Sequence, residues 1–132
     1  MRLPIFHVDA FASRRFTGNP AAVVVVERYP DDVVLQAIAA ENNLSETAFL
    51  EPAGGTWNLR WFTPAVEVPL CGHATLASAW VVFERLERAR VEVTFVTRQS
   101  GALTVRRLAS AFEMDFPAKP VAPVASPPPL LA

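Results

Sequence analysis

Hydrophobic and polar residues alternate over several short stretches of this chain and lose that alternation over one longer stretch. Residues 3–11, Leu-Pro-Ile-Phe-His-Val-Asp-Ala-Phe, read as a strand with Pro4 tolerable near its start. Gly18-Asn19-Pro20 is a turn signal. Val23 to Val26 is an unbroken β-branched run, which predicts a strand covered on both faces. Asp31 is placed to cap a helix running to about Asn42, with Val33, Val34, Ala37 and Ile38 as its apolar side. Thr47 to Leu50 predicts a short strand. Trp57, Leu59 and Trp61 alternate with Asn58 and Arg60, which predicts a half-buried one. Three further period-two patterns close the chain: Val91, Val93 and Phe95; Leu103 and Val105; Phe112, Met114 and Phe116.

Between the fifth and sixth of these patterns lies Cys71-Gly72-His73-Ala74-Thr75-Leu76-Ala77-Ser78-Ala79-Trp80-Val81-Val82-Phe83. From Ala74 to Phe83 it carries no charge, and its large residues cannot be confined to one stripe at 3.6 residues per turn. A helix that is apolar all round is buried all round, and this one is too short to span a bilayer. Trp80 is therefore expected to be almost fully buried. Charges arrive at its end as Glu84, Arg85, Glu87 and Arg88, the arginines suiting the negative end of the helix dipole. Tight strand spacing implies hairpins. The predicted fold class is α+β: a curled, mainly antiparallel sheet, an open barrel, wrapped around one buried central helix.

At 132 residues the chain is the length of one domain, with 52% apolar residues to supply a core. A net charge of −1 argues against nucleic acid as a partner, since phosphate binding needs clustered Lys and Arg. The sequence offers no membrane span. One cysteine excludes an internal disulfide and a cysteine metal cluster. It fits a reducing compartment, so a cytoplasmic protein is expected. From Pro117 the composition turns proline-rich, which divides the chain into a domain over 1–116 and an extended linker over 117–132 ending in Leu130-Leu131-Ala132.

Few residues could carry chemistry. Glu46, between a helix end and a strand start, is either a general base raised by desolvation or a solvated carboxylate beside a turn-capping Ser45. His73 at the start of the central helix is either a proton relay or a histidine bonded to its own backbone neighbourhood. Free N–H groups from Gly72 to Ala74 would make an anion site. Cys71 is either a thiol whose pKa the helix N-terminus lowers or a small buried apolar residue. Gly72 permits close backbone approach. His7, inside a strand, reads as structural. Neither histidine has metal-ligand spacing to the other or to Cys71, so no metal is expected. Neither nucleotide-binding glycine motif occurs.

Several of these stretches occur together in a known order. Val8-Asp9-Ala10-Phe11, Phe16-Thr17-Gly18-Asn19-Pro20-Ala21-Ala22-Val23, Asn43-Leu44-Ser45-Glu46-Thr47-Ala48-Phe49, Trp61-Phe62-Thr63-Pro64 and Glu67-Val68-Pro69-Leu70-Cys71-Gly72-His73-Ala74-Thr75 resemble the PhzF-like family. That family is named for the phenazine-biosynthesis isomerase and shares the diaminopimelate epimerase fold. The resemblance covers roughly residues 5–117. It implies a sheet rolled about a central helix, two such domains with the active site in the cleft between them, and proton transfer next to a carboxylate-bearing carbon without a cofactor. The family's acid/base glutamate falls on Glu46 and its substrate-touching Gly-His pair on Gly72-His73. Asn19, Ser45, Gly72 and Ala74 are taken as substrate-binding positions. In the related racemases the position of Cys71 is a catalytic thiol.

Family chains run to about twice this length, and nothing here matches their second domain. The expected protein is thus an isomerase that is incomplete without a second PhzF-like domain or a homodimer mate, acting on a small carboxylate-bearing substrate. A Cys71-dependent racemase or epimerase, and a single domain acting only by association, are the alternatives.

Overall fold

The β-branched run of residues 23–26 lies at the inner part of an eight-stranded sheet in this computed structural model, which describes residues 1–129. The strands are β1 (Ile5–Ala10), β2 (Asn19–Val25), β3 (Glu46–Ala53), β4 (Thr56–Phe62), β5 (Glu67–Val68), β6 (Glu92–Val96), β7 (Ala102–Arg107) and β8 (Phe112–Asp115). They are joined in the order β1-β2-β3-β4-β6-β7-β8, with the short β5 also on β4. Two helices accompany them, α1 (Asp32–Asn42) and α2 (Gly72–Val81). The fold is α+β, as the patterns predict. The Leu130-Leu131-Ala132 close of the chain lies outside the described residues.

The sheet is mixed: most pairings are antiparallel, and two parallel pairs add to the expected pattern. Hairpins make β1–β2, β3–β4, β6–β7 and β7–β8 antiparallel. β2 and β3 instead run parallel with Ala21 opposite Glu46, and β4 and β6 run parallel with Trp57 opposite Phe95. Each parallel pair is separated in sequence by a helix, and parallel neighbours require such a crossover. The spacing rule identified the hairpins and overlooked the two crossovers.

Residues of one strand parity face α2. Ala21, Val23, Ala48, Leu50, Leu59, Trp61, Phe95, Leu103 and Val105 share one core with Ala74, Ala77, Ala79 and Val81 of the helix, and the sheet curls as it follows them. The alanines let α2 approach the strands closely. Its two buried hydroxyls are satisfied within the helix, Thr75 donating to the Cys71 carbonyl at 2.6 Å and Ser78 to the Ala74 carbonyl at 2.7 Å. The opposite parity forms a second, smaller core: Val24, Val26, Phe49 and Phe62 against Leu35 and Ala39 of α1. Both faces of the central strands are thus covered, α2 lying in the larger core and α1 over the smaller one.

That outer layer explains two departures from the patterns. Arg60, expected on a wet face, is 6% exposed because α1 and Tyr29 cover it. α1 turns Leu35 and Ala39 inward and leaves Val33 and Ala37 exposed. Asp31 stands at its N-terminus without a side-chain cap; its carbonyl accepts from Val34 and Leu35. Trp80 is another correction. It is half-buried, with the Arg85 guanidinium 5.3 Å above its ring. The half-buried residues His73, Leu76 and Trp80 recur at helical spacing, so α2 keeps one partly open stripe. Past Val81 the helix widens into a π-turn over Val82–Leu86, closed by Glu87 N–H on the Val82 carbonyl at 2.7 Å. Val82 and Phe83 stay inside while Arg85 and Leu86 face solvent. No described helix is long and apolar enough to cross a membrane.

Candidate active site

Three chain segments meet where β2, β3 and α2 begin. β2 is entered through Gly18, whose φ of +98° and 2.6 Å separation between a would-be Cβ and the Ala10 carbonyl oxygen exclude a side chain. Asn19 and Pro20 follow at the strand start. α1 ends at Asn43 in the left-handed conformation, its N–H on the Ala39 carbonyl. The chain then turns through Leu44 and Ser45, and Glu46 opens β3 beside Ala21. Asn42 steadies this turn by donating to the Thr47 hydroxyl at 3.1 Å. α2 starts at the same end, with Cys71 at its N-cap position in extended backbone.

The His73 ring fills the space between these segments. Its Nε2 lies 3.2 Å from Glu46 Oε2 and 3.3 Å from Ser45 Oγ, and its Nδ1 lies 3.3 Å from Cys71 Sγ. Ser45 Oγ is in turn 3.5 Å from Asn19 Oδ1. The side chains of His73 and Glu46 are 10% and 19% exposed, so the pair is sheltered yet reachable. The approach of Nε2 to Oε2 is close but not aligned as a hydrogen bond, and Oε2 is buried without a donor that satisfies it. A carboxylate oxygen left without a donor beside an imidazole is free to accept a hydrogen bond from a ligand.

Cys71 behaves differently from a helix-start thiol in the open. Burial pushes its pKa from 9.0 up to about 11, and the Glu46 carboxylate adds to the rise; the Ala74 and His73 amides offset it only in part. Desolvation outweighs the helix terminus, and the group is a thiol at neutral pH. Glu46, Cys71 and His73 each offer a ligand atom within 4.8 Å of the others. The thiol and carboxylate approach opposite nitrogens of one ring, an arrangement suited to a proton chain and poorly to sharing one ion.

The structure thus gathers Asn19, Ser45, Glu46, Cys71, Gly72 and His73 into one cluster. Ala74 differs: it is fully buried, its methyl group packed in the α2 core, and has no surface to offer a ligand. His7 is exposed on the edge strand β1, away from the cluster. Sequence reasoning missed the Cys71–His73 contact, although the i, i+2 spacing across an N-cap was the signal for it. Phe116 was also missed as a neighbour of Gly72; its ring lies 3.4 Å from where a Cβ on Gly72 would stand. Two surface clefts, between residues 1–4 and Trp57 and along Arg107–Phe112, contain neither histidine nor cysteine.

Comparison with known proteins bears on the family and the fold. The family model described as phenazine biosynthesis-like protein matches residues 8–128. A Pseudomonas aeruginosa protein described as an uncharacterized isomerase is 57% identical over 99% of this chain and 50% of its own length. The human phenazine biosynthesis-like domain-containing protein is 50% identical over 93% of this chain and 45% of its own. The crystal structure of an Enterococcus faecalis phenazine biosynthesis protein superposes with a TM-score of 0.81 at 47% identity, over 85% of this chain and 43% of that one. The chain therefore spans about half the length of the relatives it matches.

Proposed function

The chain belongs to the phenazine biosynthesis-like (PhzF) family, and from that premise we propose that it supplies one half of a cofactor-independent isomerase that moves a proton next to a carboxylate-bearing carbon. Glu46 is the acid/base group. His73 assists it, and the substrate carboxylate rests at the α2 start on the Gly72 and His73 backbone, with Asn19 and Ser45 lining the same edge. The observation that carries this reading is the 3.2 Å approach of Glu46 to His73, from separate elements, in a sheltered spot with one carboxylate oxygen unsatisfied.

Residues 1–116 form the working domain in this proposal, a sheet wrapped about α2 in the manner of diaminopimelate epimerase-like domains. Residues 117–129 carry neither helix nor strand and are exposed, which suits a connector toward a second PhzF-like domain. That domain, or a second copy of this chain, closes the cleft and supplies the opposing acid/base group. A reducing, cytoplasmic setting suits the free thiol. A thiol held up to about 11 is a poor proton abstractor at neutral pH, which disfavours Cys71 as the catalytic base.

The test is deuterium incorporation from D2O into a panel of small carboxylic acids that carry a C–H beside the carboxylate-bearing carbon, followed by mass spectrometry. Exchange is expected, slowed at least about 100-fold by Glu46→Gln. Exchange that survives Glu46→Gln, or none even when the chain is combined with the separately produced second domain of a PhzF-family relative, overturns the proposal.

A further inference from the structure

We infer that Cys71 is a positioning residue whose S–H donates to Nδ1 of His73, fixing the ring in the tautomer that carries its proton on Nε2, on the side of Ser45 and Glu46. The inference deepens the proposed role of His73 and rests on that reading for its catalytic meaning only. A neutral imidazole has one donor and one acceptor nitrogen. A carboxylate oxygen 3.2 Å from Nε2 repels a lone pair there and attracts an N–H, even off axis. Ser45 Oγ at 3.3 Å gives that N–H an aligned acceptor. Nδ1 is then the acceptor, and the neighbour recorded 3.3 Å from it is the Cys71 sulfur.

An S–H turned to Nδ1 satisfies that acceptor, whereas one turned to the Glu46 carboxylate, its other neighbour, leaves Nδ1 unpaired; the surroundings keep the proton on sulfur in either case. Cys71 is 8% exposed, and burial together with Glu46 holds its pKa near 11. A thiolate would reverse the pattern, pulling the ring proton to Nδ1 and turning the Nε2 lone pair toward Glu46. The thiol prevents this, so the imidazole keeps a proton on the side facing the acid/base carboxylate. The hydrogen bond made by one nitrogen of an imidazole sets which nitrogen carries the proton.

The experiment is two-bond 15N–1H correlation spectroscopy on the chain labelled with 15N-histidine, at pH 7.5. The sequence holds two histidines, and His7→Gln assigns them; exposed His7 is the internal reference for a ring that samples both tautomers. His73 is expected as the pure Nε2–H form. Cys71→Ser, which still donates, should keep it, while Cys71→Ala should give a tautomer mixture resembling His7. An Nδ1–H form or an imidazolium in the unaltered chain overturns the inference, and so does a pure Nε2–H form in Cys71→Ala. Should Cys71→Ala not fold, the unaltered chain and Cys71→Ser decide alone. The spectrum reads the ring without turnover, so absent exchange activity would sink the proposed function and leave the tautomer assignment standing.

Discussion

Replacing Arg60 by methionine tests whether charge, and not packing alone, holds the outer layer of the fold. Arg60 is 6% exposed. It donates Nε and Nη2 to the two Glu67 oxygens at 2.8 Å each and Nη1 to Asp32 at 2.9 Å. Its guanidinium also lies 5.3 Å from the Tyr29 ring centre and 5.1 Å from that of Phe62. Methionine keeps the apolar stem and removes the fork. A hydrogen bond to a charged group contributes about 1.5–3 kcal/mol, but both bonds to Glu67 end on one carboxylate that is 26% exposed and regains water. Each ring contact adds about 0.5–1 kcal/mol. The expected net loss at pH 7 is about 3 kcal/mol, the lower end for breaking a buried pair, and roughly 10 °C in Tm for a domain of this size. Acid should erase part of that difference. Hydrogen bonds from Arg60 hold the Glu67 and Asp32 carboxyls below their ordinary values. A carboxyl depressed in the folded state contributes fully above its unfolded pKa, and the contribution is lost as pH falls through the folded one. Urea unfolding at pH 7 and pH 3 should therefore show the gap between native and Arg60→Met proteins narrowing in acid. An equal gap at both pH values, or one under about 1 kcal/mol at pH 7, would refute the ion-pair account.

Two glycine substitutions separate the scaffold from the site. At Gly72 a new Cβ meets Phe116 at an ordinary contact distance of 3.4 Å, so Gly72→Ala should raise the unfolding free energy measured in urea by about 0.4–1 kcal/mol while slowing proton exchange at least about tenfold; lower stability or undiminished exchange would contradict this. At Gly18 the positive φ and the 2.6 Å approach to the Ala10 carbonyl predict that Gly18→Ala loses more than about 1 kcal/mol by thermal unfolding, and an unchanged Tm would show that the β2 entry can relax.

The strands and the small-residue helix were legible because burial on one face leaves a period-two trace, as in Leu103 and Val105, and because Ala74 to Phe83 carries no charge. What stayed hidden depended on neighbours far away in sequence. Arg60 alternates correctly for a wet face, yet α1 arrives from 28 residues earlier to cover it. Trp80 is large and apolar, which argues for the interior, but its ring is completed by a guanidinium rather than by the core. At the site, Glu46 and His73 were readable as residue types, and their role came from the resemblance. Their mutual distance could not be read, because it depends on a parallel pairing that local spacing does not encode. The fate of Cys71 was equally opaque: a helix start lowers a thiol pKa and burial raises it, and only the structure says which is larger.

The parallel pairing of β2 with β3 also orders events in time. The β3–β4 hairpin turns over two glycines and the β6–β7 hairpin over a short loop, so each can close within microseconds of the chain being released from denaturant. Of the cluster, only Glu46 stands on such a hairpin, as the first residue of β3. Asn19 must find Ser45 across 26 residues and Ser45 must find His73 across 28, and each closure is opposed by chain entropy until β2, α1 and β3 have docked. A refolding chain should accordingly form its hairpins before Asn19, Ser45 and His73 come together.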